Sequence, residues 1–301
     1  MHEIICNDAI QPKEPPRRLK DIHEVRASSE GRRRGVRAGV AKREARNAMN
    51  RKKRQAAEAK LTAYALLVSR GHRDAYLVDG SCAALGEERV LELIKREQQS
   101  VALLRLGTGD VVIVGRVALA QKLTMLQAQG LDAPFLVSVD AAPGKDTEPR
   151  LLSVDEVGAV TACLLTAMAG WHSSSSSVLE LELAEVELVE RVVGYPFVAG
   201  WLLGYPCIYH STTPGANLLS MQRLVKFSIS GALLDEGTTV DLLEFTVPAA
   251  LLAAEEHNER ALRLRAIVQG LIASLEGRPD DEQLRSIQLQ EAEFVLPTVS
   301  L

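Results

Sequence analysis

The chain has 301 residues and a mass of 32.7 kDa, which fits one large domain or two small ones. Apolar residues make up 47% and charged residues 25%, so collagen-like, mucin-like and wholly disordered polymers are excluded. Aromatic residues are only 4%, which argues against a nucleic-acid module built on stacked bases. The four cysteines lie far apart without CxxC or metal-type spacing, which favours a reducing compartment over a disulfide framework.

Charge is distributed unevenly along the chain. The net charge is -4, yet residues 1–60 carry 17 Lys and Arg against 8 Asp and Glu. Few apolar side chains lie between Glu14 and Lys42, so residues 1–55 are predicted to be a basic, largely disordered arm. A single domain is predicted over residues 56–301.

The basic arm has two interpretations. In the first, it has a function of its own, as a nuclear-import signal or as a segment that binds nucleic acid weakly through residues 17–60. In the second, it is a solvated extension that keeps the chain soluble. The first ten residues lack a secretory signal pattern, so the expected location is cytoplasmic and/or nuclear.

Hydrophobic periodicity predicts alternating helices and strands after the arm. In chain order these are a helix from near Gln55 to Gly71, a strand Ala75–Val78, a helix Glu87–Gln98, a hairpin of Val101–Leu106 and Val111–Val114, a helix Arg116–Gln129, a strand Phe135–Val139, a helix after the capping-box pattern Ser153–Glu156, and a strand Val178–Leu183.

The second half contains an uncharged stretch, residues 192–222. Its prolines and glycines oppose a continuous membrane helix, so a buried helix Phe197–Leu203 and a central strand Cys207–Tyr209 are predicted instead of a membrane span. Beyond it, the pattern predicts strands Leu224–Ile229 and Leu242–Val247, a long helix opened by Pro248, and a last strand within Ile287–Leu296. Together the elements predict an α/β fold with one mixed, mostly parallel sheet flanked by helices.

Three polar residues follow predicted strands. Asp79 and Asp140 each come directly after an apolar run, and His210 follows Cys207–Tyr209. Ligands bind beyond the carboxyl ends of strands in open α/β sheets, so parallel neighbouring strands would bring these residues together. Two carboxylates there could hold Mg²⁺ or share acid/base work, whereas the structural alternative is that each aspartate caps a turn.

No signature of a known enzyme class accompanies these residues. The sequence has no phosphate loop, dinucleotide fingerprint, GxSxG elbow or HExxH motif, and therefore identifies no cofactor. Tyr205 and Tyr209 could donate hydrogen bonds to a ligand, although buried tyrosines usually bond to the backbone. Cys82 could be a nucleophile at the start of a helix, although such a cysteine is more often a small buried residue. Cys207, within an apolar strand, is interpreted as part of the core.

One segment, GWLLGYPCIYHSTTPGANLLSMQRLVKFSIS at residues 200–230, resembles an uncharacterised eukaryotic family typified by the human chromosome-1 open-reading-frame-74 protein. Tyr76–Asp79 with Ser81, Val139-Asp140 and the terminus EFVLPTVSL are similar to the same family, from about residue 60 onward. The positions that match its pattern are Asp79, Asp140, Gly204, Tyr205, Pro206, Tyr209 and Asn217. The resemblance implies a single-domain protein without an established activity, and it brings no catalytic residues.

These observations leave two functional hypotheses. The first is a non-catalytic domain that binds a protein or a small molecule, with a candidate ligand site at Asp79, Ser81, Asp140, Tyr205, Tyr209, His210 and Asn217. The alternative is a metal-assisted hydrolase or transferase that uses Asp79 and Asp140.

Overall fold

The computed structural model describes residues 47–97, 99–106, 110–140, 148–168, 178–180, 193–211, 219–233, 238–276 and 284–295. The chain divides at Ala56/Ala57 into two units, and the described part of the first unit, residues 47–56, is exposed helix. Helix formation therefore extends further toward the N-terminus than the predicted start near Gln55. The rest of the predicted basic arm lies outside the described residues.

The helices follow the predicted order closely. They are α1 (47–69), α2 (Gly80–Ala83), α3 (Glu87–Ile94), α4 (Arg116–Gln129), α5 (Val154–Ala167), α6 (Tyr195–Leu203), α7 (Ala249–Ala253) and α8 (Asn258–Glu276), with 3₁₀ turns at Lys95–Glu97 and Glu255–His257. The capping box before α5 is confirmed: the Glu156 N–H donates to Ser153 Oγ at 3.3 Å, and the Ser153 N–H donates to Glu156 Oε2 at 2.7 Å.

Ten strands accompany these helices among the described residues. They are β1 (Ala75–Leu77), β2 (Val101–Arg105), β3 (Val111–Gly115), β4 (Phe135–Ser138), β5 (Arg150–Leu151), β6 (Val178–Glu180), β7 (Cys207–His210), β8 (Arg223–Leu233), β9 (Thr238–Pro248) and β10 (Leu284–Val295). The predicted hairpin is confirmed, because β2 and β3 pair antiparallel with Leu103 opposite Ile113. Pro248 ends β9 and does not open the long helix, which begins ten residues later at Asn258.

The predicted single, mostly parallel sheet is wrong. The described strands form three small sheets in the orders β1-β3-β2-β6, β5-β4-β7 and β10-β8-β9. Of the described strand pairs, only β2–β6 and β4–β7 are parallel, and the others are antiparallel. The predicted central strand β7 lies at the edge of its sheet. The alternation of helices and strands predicts parallel crossovers. Most of the described strands instead pair antiparallel, several of them with the next strand in the chain.

Two hydrophobic cores cover the two faces of the first two sheets. Successive residues of β4 alternate between them, since Phe135 and Val137 lie in one core and Leu136 lies in the other. The first core also contains side chains of α1, α3, α8 and the β10-β8-β9 sheet, and the second contains side chains of α4, α5 and α6. These strands are therefore apolar on both faces, which explains why their sequences are continuous hydrophobic runs.

Candidate functional site

Asp79 caps the short helix α2 and forms an ion pair. Its Oδ1 accepts a hydrogen bond from the Cys82 N–H at 3.1 Å, and its Oδ2 pairs with Lys60 on α1. The hydrogen bond that Lys60 donates to the Asp79 carboxylate raises the pKa of Lys60 above its ordinary value. Cys82 is fully buried, with its Sγ 3.7 Å from the Tyr76 hydroxyl. These contacts fit the interpretation in which Asp79 is a capping residue, here at the start of α2 and paired with Lys60.

Asp140 and His210 do come together. Their strands β4 and β7 are parallel neighbours, and Ser138 lies opposite His210 in the register. Ser211, directly after β7, donates from its Oγ to Asp140 Oδ1 at 2.8 Å. The predicted meeting of strand ends is therefore found for these two strands.

β1 does not join the pair formed by β4 and β7. Among the described strands its partner is β3, which runs antiparallel to it. Asp79 and Asp140 thus follow strands of different sheets. No group of three metal-ligating side chains occurs within the described residues. Ser81 lies in α2, and Asn217 lies outside the described residues.

Tyr209 connects two sheets. Its hydroxyl donates to the Thr246 carbonyl oxygen on β9 at 2.9 Å and lies 3.0 Å from Thr246 Oγ1. Burial raises the pKa of Tyr209 well above its ordinary value, so the phenol stays protonated. The backbone partner expected of a buried tyrosine is present.

The two Gly-Tyr-Pro triplets of the sequence occupy the two ends of α6. Gly194 precedes the helix with φ 75° and ψ 144°, and a Cβ there would overlap the Ser211 carbonyl group, whose carbon would lie 3.0 Å away. Gly204 follows the helix in the left-handed conformation, with φ 75° and ψ 30°. Both glycines are thus required by backbone conformation, and Gly194 also by its close approach to the Ser211 backbone.

An ion pair packs against the second triplet. Lys122 of α4 lies 2.8 Å from Asp74 Oδ2 and donates to the Trp201 carbonyl oxygen at 2.9 Å. Its ammonium lies 6.0 Å from the centre of the Trp201 ring. A Cβ on Gly204 would lie 2.5 Å from Asp74 Oδ2, so the absence of a side chain at this position makes room for the pair.

Beside this pair is a cleft of about 240 Å³, named here the GYP cleft after Gly204, Tyr205 and Pro206 in its lining. Its charged lining residues are Asp74, Lys122 and Asp132, and its apolar lining includes Met125, Leu126, Pro134, Trp201, Ile208 and Ile267. Asp132 pairs with Arg263 of α8. Burial raises the pKa of Tyr205, opposed by the nearby Arg73 guanidinium. The cleft offers an apolar floor with ionic groups at its sides, as small-molecule sites commonly do.

The GYP cleft lies at the opposite edge of the sheet from the one predicted. Pro134 and Pro206 directly precede β4 and β7, so the cleft is at the amino ends of these strands. Of the predicted site residues that the structure describes, only Tyr205 lines it. Sequence reasoning missed Asp74, Lys122 and Asp132, because an aspartate before a strand and a lysine within a helix carry no local signal of a site.

Comparison with known proteins assigns the family. No curated protein and no solved structure matches the sequence. Within the described residues, no helix is long and apolar enough to cross a membrane. The sequence profile of a family described as Domain of unknown function (DUF4504) matches residues 44–301, well over half of the chain. The chain therefore belongs to the DUF4504 family of domains of unknown function.

Proposed function

We propose that this domain is a non-catalytic module that binds a small amphipathic molecule in the GYP cleft. One observation carries the proposal: the Gly204-Tyr205-Pro206 triplet lines a cleft that also contains an indole and an ion pair. The left-handed Gly204 turns the chain from α6 toward β7 and leaves space for Asp74 and Lys122. The same triplet thus shapes the cleft and positions its charged groups.

The lining supports reversible binding. Trp201 is only 7% exposed, while Met125 and Ile267 at the rim are 44% and 38% exposed. A ligand that enters would cover exposed methionine and isoleucine surface, which is favourable in water. Asp74 and Lys122 would fix its polar end by hydrogen bonds, as a few polar groups do in mostly apolar sites.

Finer assignments belong to the same proposal. The family is the one typified by the human chromosome-1 open-reading-frame-74 protein, and the domain at 56–301 acts in the cytoplasm or nucleus behind a basic arm at 1–55. The likeness of residues 200–230 to the family motif supports the assignment to that family. The excess of Lys and Arg before residue 60 supports the basic arm and the location.

The test uses three matched probes: 3-phenylpropanol, 3-phenylpropylamine and 3-phenylpropionate. The full chain contains two tryptophans, so a Trp171→Phe background assigns the Trp201 indole N–H resonance by NMR. We expect at least one probe to shift this resonance in a saturable manner. If none of the three does so, the proposed function is wrong.

Two variants of the same helix locate the binding. Met125→Trp places a bulky ring at the cleft mouth and should abolish probe binding. Val117→Trp changes a residue of α4 that is 68% exposed and does not line the cleft, so it should leave binding intact. Equal binding by both variants would place the probe elsewhere and contradict the proposal.

A further inference from the structure

The charged groups of the GYP cleft differ in how far water reaches them. The side chain of Lys122 is 20% exposed, whereas those of Asp74 and Asp132 are 41% and 44% exposed. Lys122 is also engaged by two acceptors, the Asp74 carboxylate and the Trp201 carbonyl oxygen. A ligand that enters the cleft therefore meets carboxylate oxygens more readily than the ammonium group.

The C-termini of two helices also favour a positively charged ligand. Gly130 directly follows α4 and Gly204 directly follows α6 as their C-cap residues, and both of these glycines line the cleft. A helix C-terminus carries a partial negative charge, and neither helix has a basic residue in its last turn. Lys122 compensates the end of α6 through its bond to the Trp201 carbonyl oxygen. Asp132, two residues beyond Gly130, adds a negative charge near the end of α4, and this carboxylate pairs with Arg263.

The aromatic group in the lining suits a cation as well. Trp201 has the ring that attracts cations most strongly, and the Lys122 ammonium already lies 6.0 Å from its centre. Met125, Ile267 and Pro206 provide apolar surface beside it for the stem of such a molecule.

From this combination we infer that the GYP cleft selects a small organic cation, a primary ammonium group on an apolar stem, over neutral or anionic molecules of the same shape. The inference rests on the proposed function, since it names the ligand class of that site. The ammonium group binds Asp74 and Asp132, and the stem covers the apolar floor.

The three probes of the binding test separate charge from shape. We expect 3-phenylpropylamine to bind at least tenfold more tightly than 3-phenylpropanol, and 3-phenylpropionate to bind more weakly than either. Raising the salt concentration should weaken binding of the amine and leave the alcohol unchanged, because salt screens partly exposed charges. If the alcohol or the carboxylate binds as tightly as the amine, the charge preference is refuted while the ligand site stands.

Variants of the ion pair at Asp132 give effects of opposite sign. Asp132→Asn removes a carboxylate and leaves the Arg263 cation, so the amine should bind about tenfold more weakly, equivalent to about 1.4 kcal/mol. Arg263→Gln removes the competing cation and should strengthen amine binding severalfold. The matched control is Glu291→Gln at an exposed position on β10, which removes one negative charge, as Asp132→Asn does. This control should leave the Kd of the amine unchanged. Unchanged amine affinity in both Asp132→Asn and Arg263→Gln would overturn the inference.

Discussion

Replacing Gly194 with alanine tests the geometry that holds α6 in place. The residue has φ 75° and ψ 144°, a conformation that costs a side-chain-bearing residue on the order of 1–3 kcal/mol. The added Cβ would also overlap the backbone carbonyl group of Ser211, which cannot move without shifting the end of β7. Overpacking of this kind typically costs about 1–3 kcal/mol. The two contributions together predict a loss of about 2–6 kcal/mol, a large part of the roughly 5–15 kcal/mol that stabilises a typical domain.

The measurement is urea denaturation followed by circular dichroism, with two other glycines as comparisons. Gly204→Ala should cost less than Gly194→Ala, because the left-handed conformation costs about 1–2 kcal/mol and its Cβ meets the movable Asp74 carboxylate. Gly270→Ala, at an exposed site inside α8 with open space for a Cβ, should stabilise by about 1 kcal/mol. A Gly194→Ala variant as stable as the unaltered chain would refute this account of the α6 terminus.

Two further predictions concern hydrogen bonds. Arg150 and Ser153 lower the pKa of Glu156 from 4.5 to about 2, so the stabilising effect of its carboxylate is complete above pH 4.5 and is lost as the pH falls toward 2. Glu156→Gln should remove this part of the pH dependence when the free energy of unfolding is measured in an acid titration. An unchanged slope would contradict the prediction. Tyr209→Phe removes the hydroxyl group that is bonded to Thr246 and should lower the free energy of unfolding by about 1 kcal/mol. If denaturant titrations show no loss of stability, this hydrogen bond between the sheets contributes nothing.

Local signals in the sequence predicted individual elements well. The bounds of α4 were predicted as found, because Gly115 and Gly130 flank a continuous helix-forming run. The capping box at Ser153 was predicted from four residues, since both of its hydrogen bonds are made within one helical turn. The β2–β3 hairpin likewise depends on neighbours only a few residues apart.

The arrangement of strands into sheets was not predictable in the same way. Phe135 pairs with Cys207 and Leu224 pairs with Phe294, partners about seventy residues apart with no local mark of their pairing. Pro248 shows a second limit, because its fixed φ suits the first residue of a helix and also the end of a strand. The periodicity gave no means of choosing between these two positions.

The cleft residues were not predictable from the sequence for a related reason. The sequence predicts a site at the carboxyl ends of the strands, where Asp140 accepts a hydrogen bond from Ser211 beside His210. The cleft formed at the other edge, from Asp74 and Lys122, which are distant in sequence and individually unremarkable. Among the described residues that line the cleft, only Tyr205 belongs to the predicted ligand site, because of its hydroxyl group and the family motif around it.

The two glycines at the ends of α6 make the length of this helix a fixed quantity. Nine residues of helix span about 13.5 Å, and the four residues of β7 span about 13 Å beside it in the opposite direction. Gly194 packs closely against Ser211 at the carboxyl end of β7, and Gly204 packs closely against Asp74 at its amino end. A residue inserted in the helix before Trp201 would rotate the part that follows by about 100° and carry Trp201 away from the cleft. The segment therefore acts as a spacer that accepts changes of side chain far more readily than changes of length.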